Sequence, residues 1–409
     1  MNKHIKYLII GVIITLLFSP ALYAAPKEKS INEEKSEFPI MGWLTFFHPK
    51  DFSSKNIRLL QEGGINISLG PGMNLENSLQ IADSLDSTGM KYLVNCPQVR
   101  NPDLFQKSVS ALMKHPSVIG YWIKDEPRID QFQEWLDCKN RIQSVDSIHF
   151  CLINLLPIKY PGPYGGQEYE TYLKKYINLF SPPFFSFDNY CIIETEGGPQ
   201  VFDNYYENLE VAKKVQHDTS TPFRTFCLTS PHLSYPIPTY NYLNFEAFSS
   251  LAYGSQGIIY YTISHDPTRQ TEFKTAPLDI NGNKTPIWDA MKKINQEIQN
   301  LSNVFLGCKV IDVWHTGEKI PEGTSPLITL PDPLTQFKSQ SEGVVLSQIS
   351  NKGKRYFIIV NHDIHNSQNI KIKSKVKISR LTQNGNLKKG KSFKITIPPG
   401  GHTIFEINE

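Results

Sequence analysis

The chain is poor in several things, and each shortage excludes something. Its 409 residues contain only six cysteines, Cys96, Cys138, Cys151, Cys191, Cys227 and Cys308. None forms a C-x-x-C pair and no Cys/His cluster has zinc spacing, so no structural metal is expected. Four of the six fall inside apolar runs, which points to buried free thiols rather than a disulfide framework. Charge of one sign is also lacking: the formal net charge is +3, which gives no electrostatic case for nucleic acid or an anionic membrane. No Gly-rich phosphate turn follows the first apolar run, which argues against an open nucleotide-binding sheet and against a bound cofactor.

A confident membrane span is missing too. Lys3, His4 and Lys6 precede an apolar run from Tyr7 to Phe18, and Ser19-Pro20 and Ala24-Ala25 follow. This is the pattern of a secretory signal peptide over residues 1–25, with a hydrophobic run short for a span. An uncleaved N-terminal anchor is the alternative. With no cysteine near the cut, no lipid anchor is expected, and the mature protein is expected to be secreted or periplasmic with no stable membrane span. Residues 26–37 read as a charged, flexible lead-in.

What is present is alternation. From Phe38 onward, short apolar runs alternate with helix-like segments. The runs are Pro39–Phe46, Ile65–Leu69, Tyr92–Cys96, Val118–Ile123, Phe150–Leu156, Phe184–Ile192, Phe223–Leu228 and Gly257–Ile263. Helical periodicity separates them, at 54–62, 75–87, 103–114, 130–144, 169–179, 205–215 and 240–253, with a last helix at 287–301. Eight strand-then-helix units over residues 38–305 have the size and rhythm of a (β/α)8 TIM barrel, near 250 residues in the usual case.

Beyond residue 306 the rhythm changes to short alternating strands, at Val310–Val313, Gly343–Ser347, Tyr356–Val360, Ile370–Ile372, Val376–Ile378 and Phe393–Ile397. Turns are signalled at Asn351–Gly353 and Asn384-Gly385. Residues 306–409 therefore read as a small all-β sandwich domain. Its lysine-rich faces need no more explanation than solubility and edge protection.

One stretch carries the chemistry. Gly120-Tyr-Trp-Ile-Lys-Asp-Glu-Pro127 is a buried strand that ends in two adjacent carboxyls, Asp125 and Glu126, before Pro127 stops strand pairing. In isolation, Asp-Glu-Pro is most simply a solvated turn. On the fourth strand of a barrel it lies at the C-terminal edge, where such folds present catalytic groups. Lys124 is more simply an ion partner of the two acids than a Schiff-base lysine, and His265-Asp266 lacks a third metal ligand.

With these units placed, the sequence resembles a secreted (β/α)8 glycoside hydrolase, and is distantly similar to the retaining clan that includes the β-galactosidases. The resemblance rests on Gly120–Pro127, on Ser186-Phe-Asp-Asn-Tyr190 at the sixth strand, and on Pro231-His-Leu-Ser-Tyr-Pro236 after the seventh. Leu251–Tyr261, leading into the eighth strand, and Pro398-Pro-Gly-Gly-His402 add to it. It implies a carbohydrate substrate and cleavage of O-glycosidic bonds, with Glu126 as general acid/base in the place of the clan's fourth-strand Glu. Asp125 stands where that clan has Asn.

The pattern departs from the clan at the seventh strand, where Leu228-Thr-Ser-Pro-His232 carries no carboxylate nucleophile. Three readings follow. Asp188, or behind it Glu194 or Glu196, is the nucleophile; or Asp125 and Glu126 act as a pair in substrate-assisted hydrolysis, with Asp125 orienting an acetamido group; or the barrel is a non-catalytic carbohydrate-binding protein. Asp188, Tyr190, His232 and Tyr261 are expected to line the site, and Trp43 and His48, ending the first strand, to offer a sugar platform. Each has a plainer reading, as strand cap, loop histidine or core ring. Nothing in the sequence points to a particular oligomeric state.

Overall fold

The computed structural model describes residues 37–158, 162–202, 204–268, 272–381 and 387–408. The expected signal peptide and the Asn384-Gly385 turn lie outside them. Eight parallel strands close into a barrel: β1 (Ile40–Trp43), β2 (Ile67–Leu69), β3 (Lys91–Val94), β4 (Val118–Asp125), β5 (Phe150–Leu155), β6 (Phe185–Phe187), β7 (Phe223–Leu228) and β8 (Ile258–Tyr261). Each pairs with its neighbours in sequence, and β8 closes the ring on β1.

A helix follows every strand: α1 (Ser54–Glu62), α2 (Leu75–Leu85), α3 (Phe105–Leu112), α4 (Phe132–Gln143), α5 (Tyr169–Phe180), α6 (Tyr205–Thr219), α7 (Tyr240–Ala252) and α8 (Pro286–Asn300). Local chemistry sets several starts. Ser53, Asn74 and Thr239 each accept a hydrogen bond from a first-turn N–H, and Pro286 opens α8 where a missing N–H costs nothing. Two cores result. One lies between strands and helices; the other fills the barrel and includes Met41, Trp43, Leu69, Leu93, Leu152, Phe226, Leu228 and Ile259.

The chain then builds an antiparallel sheet domain from β9 (Lys309–His315), β10 (Leu334–Lys338), β11 (Val344–Asn351), β12 (Lys354–Asn361), β13 (Gln368–Leu381), β14 (Leu387–Ile397) and β15 (His402–Ile407). The runs Ile370–Ile372 and Val376–Ile378 are one strand, not two. Within β13, residues 371–374 pair with β10 and residues 378–381 with β15. This long strand shifts register in its middle and lets the sheet wrap a core of its own, with Leu346, Phe357, Ile359, Ile372 and Phe405 inside.

Helix α7 is covered on both sides. Every residue from Leu243 to Ala252 is buried, as expected of a helix sandwiched between two layers rather than lying on a surface. Ser347 Oγ of β11 donates to the Ala252 carbonyl at 2.6 Å, and Asn244 Nδ2 donates to the Gly400 carbonyl at 2.8 Å. All six cysteines are buried free thiols, as expected. Among the described residues no helix is long and apolar enough to cross a membrane.

Candidate active site at the barrel mouth

The acid pair is delivered by an irregular strand. Between Trp122 and Lys124, β4 carries one extra residue against β5, and a bulge of this kind re-aims the side chains beyond it. Arg100 donates from Nη1 to the Trp122 carbonyl at 3.2 Å and to Asn95 Oδ1 at 3.1 Å, supplying a donor beside the bulge. Past it, Asp125 pairs with Asn154, and the Glu126 N–H donates to the Asn154 carbonyl at 2.8 Å. Glu126 then takes φ +45°, the left-handed region that side chains other than glycine rarely occupy. On its far side the Tyr172 hydroxyl of α5 donates to the Pro127 carbonyl at 2.8 Å. The backbone on either side of Glu126 is thus pinned, so the surroundings enforce the conformation.

Three carboxyls converge here. Glu126 and Asp188 lie close enough for each to act on the other's carboxyl. Asn154 Nδ2 donates to Asp125 Oδ1 at 3.2 Å and to Asp188 Oδ1 at 3.0 Å, while its Oδ1 accepts from Ser186 Oγ at 2.9 Å. Asp125 and Glu126 keep accessible surface at the open mouth, yet surrounding protein displaces much of their water. That desolvation, then the Asp125 charge, holds Glu126 above the usual carboxyl range; interaction with Asp188 and the Lys124 charge oppose it. Desolvation also raises Asp125, against Asn154 and Lys124. Asp188 is pushed well up, by burial first and then by the charges of Glu126 and Asp125. Crowded carboxyls of this sort share protons rather than all ionising.

An aromatic wall continues from the acids. Tyr190, buried and with its phenol pushed up by burial and by Asp188, lies 5.6 Å from Tyr235 and 5.9 Å from Tyr261 between ring centroids. His232 packs 5.1 Å from Tyr235, 5.0 Å from Phe273 and 5.9 Å from Tyr261. Its Nδ1–H donates to the Ser230 carbonyl at 3.1 Å, which leaves Nε2 as the acceptor nitrogen. The half-buried members His232, Tyr235 and Tyr261 offer faces of the kind that stack on the C–H surface of a sugar.

Asp125, Glu126, Asp188 and Tyr190 therefore come together, with His232 and Tyr261 beside them. Trp43 is different. It is buried edge-on to Trp122 at 5.9 Å and 5.2 Å from Phe226, so the expected platform is a packed interior ring. His48 is exposed, and among the described residues it makes no hydrogen bond to the acids. Glu194 and Glu196 are exposed beside the small hairpin Ile192–Ile193/Gln200–Val201, and neither joins the hydrogen-bonded acid group. Asn154, Ser186, Tyr172 and Tyr235 were not singled out from the sequence. Asn154 had a signal: it is the one strongly polar residue in the run Phe150–Leu156, in step with Phe150 and Leu152, which pack in the barrel interior.

The seventh strand end holds no acid. Thr229 and Ser230 both donate backbone N–H groups to the Tyr261 carbonyl at 2.9 Å. Thr229 Oγ1 donates to the Thr262 carbonyl at 2.7 Å, and the Ser230 and Thr262 hydroxyls meet at 2.7 Å. A buried acid nearby, Glu246 of α7, accepts the Leu228 N–H at 3.1 Å and contacts Cys191 Sγ at 3.7 Å. Those partners place it in the layer between strands and helices.

Neither a family profile nor a curated protein matches the sequence. Solved structures similar to it include a β-galactosidase from Bacillus circulans sp. alkalophilus. That match has a TM-score of 0.60 at 9% identity and covers 91% of this chain and 99% of that one. A catalytic mutant of a GH42 β-galactosidase from G. stearothermophilus matches with a TM-score of 0.57 at 9% identity, covering 91% of this chain and 98% of that one. At such identity the likeness is one of fold: a (β/α)8 barrel followed by an antiparallel β-domain.

Proposed function

We propose that the protein is an exported glycoside hydrolase that cleaves O-glycosidic bonds of a glycan or oligosaccharide, with Glu126 as the general acid. The observation that carries this reading is the position of Glu126. It is a crowded carboxyl held in a left-handed conformation at the mouth of a barrel, with the carboxyls of Asp125 and Asp188 close by. A glycosidic oxygen is a poor leaving group and needs a proton from a positioned acid whose pKa is held up. The aromatic wall supplies the sugar-binding surface.

The same geometry bears on the nucleophile. A retaining pair is about 5–5.5 Å apart and an inverting pair about 6.5–9.5 Å, with the sugar between the two carboxyls. No carboxylate ends the seventh strand, and Asp188 is instead tied to Asp125, the neighbour of Glu126, through Asn154. This supports substrate assistance, with Asp125 orienting a 2-acetamido group, over a carboxylate nucleophile. The second reading, a non-catalytic carbohydrate-binding barrel, is favoured by the acid-free seventh strand.

The test is wild type beside Glu126→Gln on a panel of aryl glycosides and glycans, with binding measured in parallel. Turnover by wild type that collapses in the variant supports the enzyme. Sugar binding by both with turnover by neither means that the barrel only binds. An active enzyme indifferent to a thiazoline-type inhibitor would rule out substrate assistance.

A further inference from the structure

The acids at the mouth are linked through one amide. Asn154 is 1% exposed and sits on β5 between the acids of β4 and the loop after β6. Ser186 Oγ donates to Asn154 Oδ1 at 2.9 Å. With the oxygen so occupied, the NH2 end faces Asp125 and Asp188 and donates to both, at 3.2 and 3.0 Å. The opposite amide orientation would aim a carbonyl oxygen at two carboxylates, which electrostatics disfavours. The Asn154 backbone takes part as well, since its carbonyl accepts the Glu126 N–H at 2.8 Å. One residue therefore holds all three acids.

We infer that Asn154, oriented by Ser186, is a positioning residue that favours the charged forms of Asp125 and Asp188 and so leaves the proton to Glu126. This rests on the glycosidase reading only for what the proton is used for. A carboxylate that accepts an amide N–H is stabilised in its charged form. Asp188 is more deeply buried than Glu126, which favours its protonation; the bond from Asn154 works against that. Other groups face these carboxyls. Lys124 favours ionisation of Glu126, whereas the phenols of Tyr169, Tyr172 and Tyr190 are pushed up by burial and stay neutral beside it. In turnover the Glu126 O–H bond breaks as an O–H bond forms on the leaving oxygen, so the proton must be on Glu126 first. Asn154 touches no reacting atom in this account. It sets which carboxyl is loaded.

The test uses the full chain with 13C-labelled Asp and Glu carboxyls, titrated by NMR in wild type, Asn154→Leu and Ser186→Ala. Circular dichroism checks that the variants fold. In Asn154→Leu the Asp188 titration is expected to rise and that of Glu126 to fall, by about one pH unit each. The alkaline limb of the kcat/KM profile should move to lower pH by a similar amount. Ser186→Ala, which removes only the orienting bond, should show the same change at smaller size. If Asn154→Leu is unfolded, Ser186→Ala alone decides. Folded variants with wild-type carboxyl titrations would overturn the inference. The NMR readout needs no substrate, so a chain with no turnover would refute the glycosidase reading and leave the role of Asn154 to be judged separately.

Discussion

The fourth strand of the barrel ends in two carboxyls, and the seventh ends in hydroxyls and rings. Both ends open at the same face, but they are finished in opposite ways. At the fourth, a bulge, a left-handed residue and a crowd of like-charged groups hold acid chemistry in place at a cost to stability. At the seventh, the N–H and hydroxyl groups of Thr229 and Ser230 turn toward Tyr261 and Thr262, and the strand end carries no carboxylate. On the proposed reading the barrel separates its labour, with proton chemistry on one arc of the mouth and shape recognition on another. A two-carboxylate mechanism with strand 4 and strand 7 as partners does not fit this division.

The comparison can be broken most directly at Glu126. Glu126→Gln should lower kcat by about 10²–10⁴-fold on substrates whose leaving group needs a proton. Ser230→Ala, at the seventh strand end, should cost stability while leaving turnover within a few-fold. Steady-state kinetics beside thermal melts would show it, and equal losses at both ends would erase the contrast.

The next largest effect concerns Glu246, the buried acid behind strand 7. Burial, against the Leu228 and Cys191 bonds, pushes its carboxyl up to about 8 from an ordinary value of 4.5. Between those values the native state keeps a proton that the unfolded chain gives up. The native state therefore binds more protons, and stability falls as pH rises through that window. Glu246→Gln should remove this contribution, read as a flatter denaturation midpoint across the same range.

Tyr172→Phe should cost about 1 kcal/mol through the lost bond to the Pro127 carbonyl. It should also reduce kcat more than KM if that bond seats Glu126. A stability effect of opposite sign is expected from Glu126→Gly. Removing a side chain from a left-handed position should stabilise the fold by roughly 1 kcal/mol, seen as a higher melting temperature, while activity disappears.

The barrel was legible because its eight apolar runs are separated by helical periods and by Gly or Pro stops. The sixth run misled. Phe184–Ile192 reads as one strand, but only Phe185–Phe187 pairs in the barrel. Tyr190 and Cys191 are apolar because they pack after the turn at Asp188, not because they extend the strand. Val376 was set apart from Ile370 by Ser374 and Lys375, whose polarity belongs to the alternation of a single long strand. Glu126 was visible as a motif. Its closeness to Asp188 was not, since that joins the fourth strand to the sixth, 62 residues on. The left-handed turn and the bulge were equally invisible, because nothing in Trp-Ile-Lys-Asp-Glu-Pro announces either.

That left-handed turn has a consequence for the history of the position. Selection for folding alone would hand residue 126 to glycine or asparagine, which enter this conformation with little strain. A long acidic side chain sits there against the preference of the backbone and in the repulsion of two neighbouring acids. Drift toward a merely structural barrel would erode this residue early. Its identity can therefore serve as a gauge, since a barrel of this design with Gly or Asn at the corresponding turn has set the acid chemistry aside and kept the mouth.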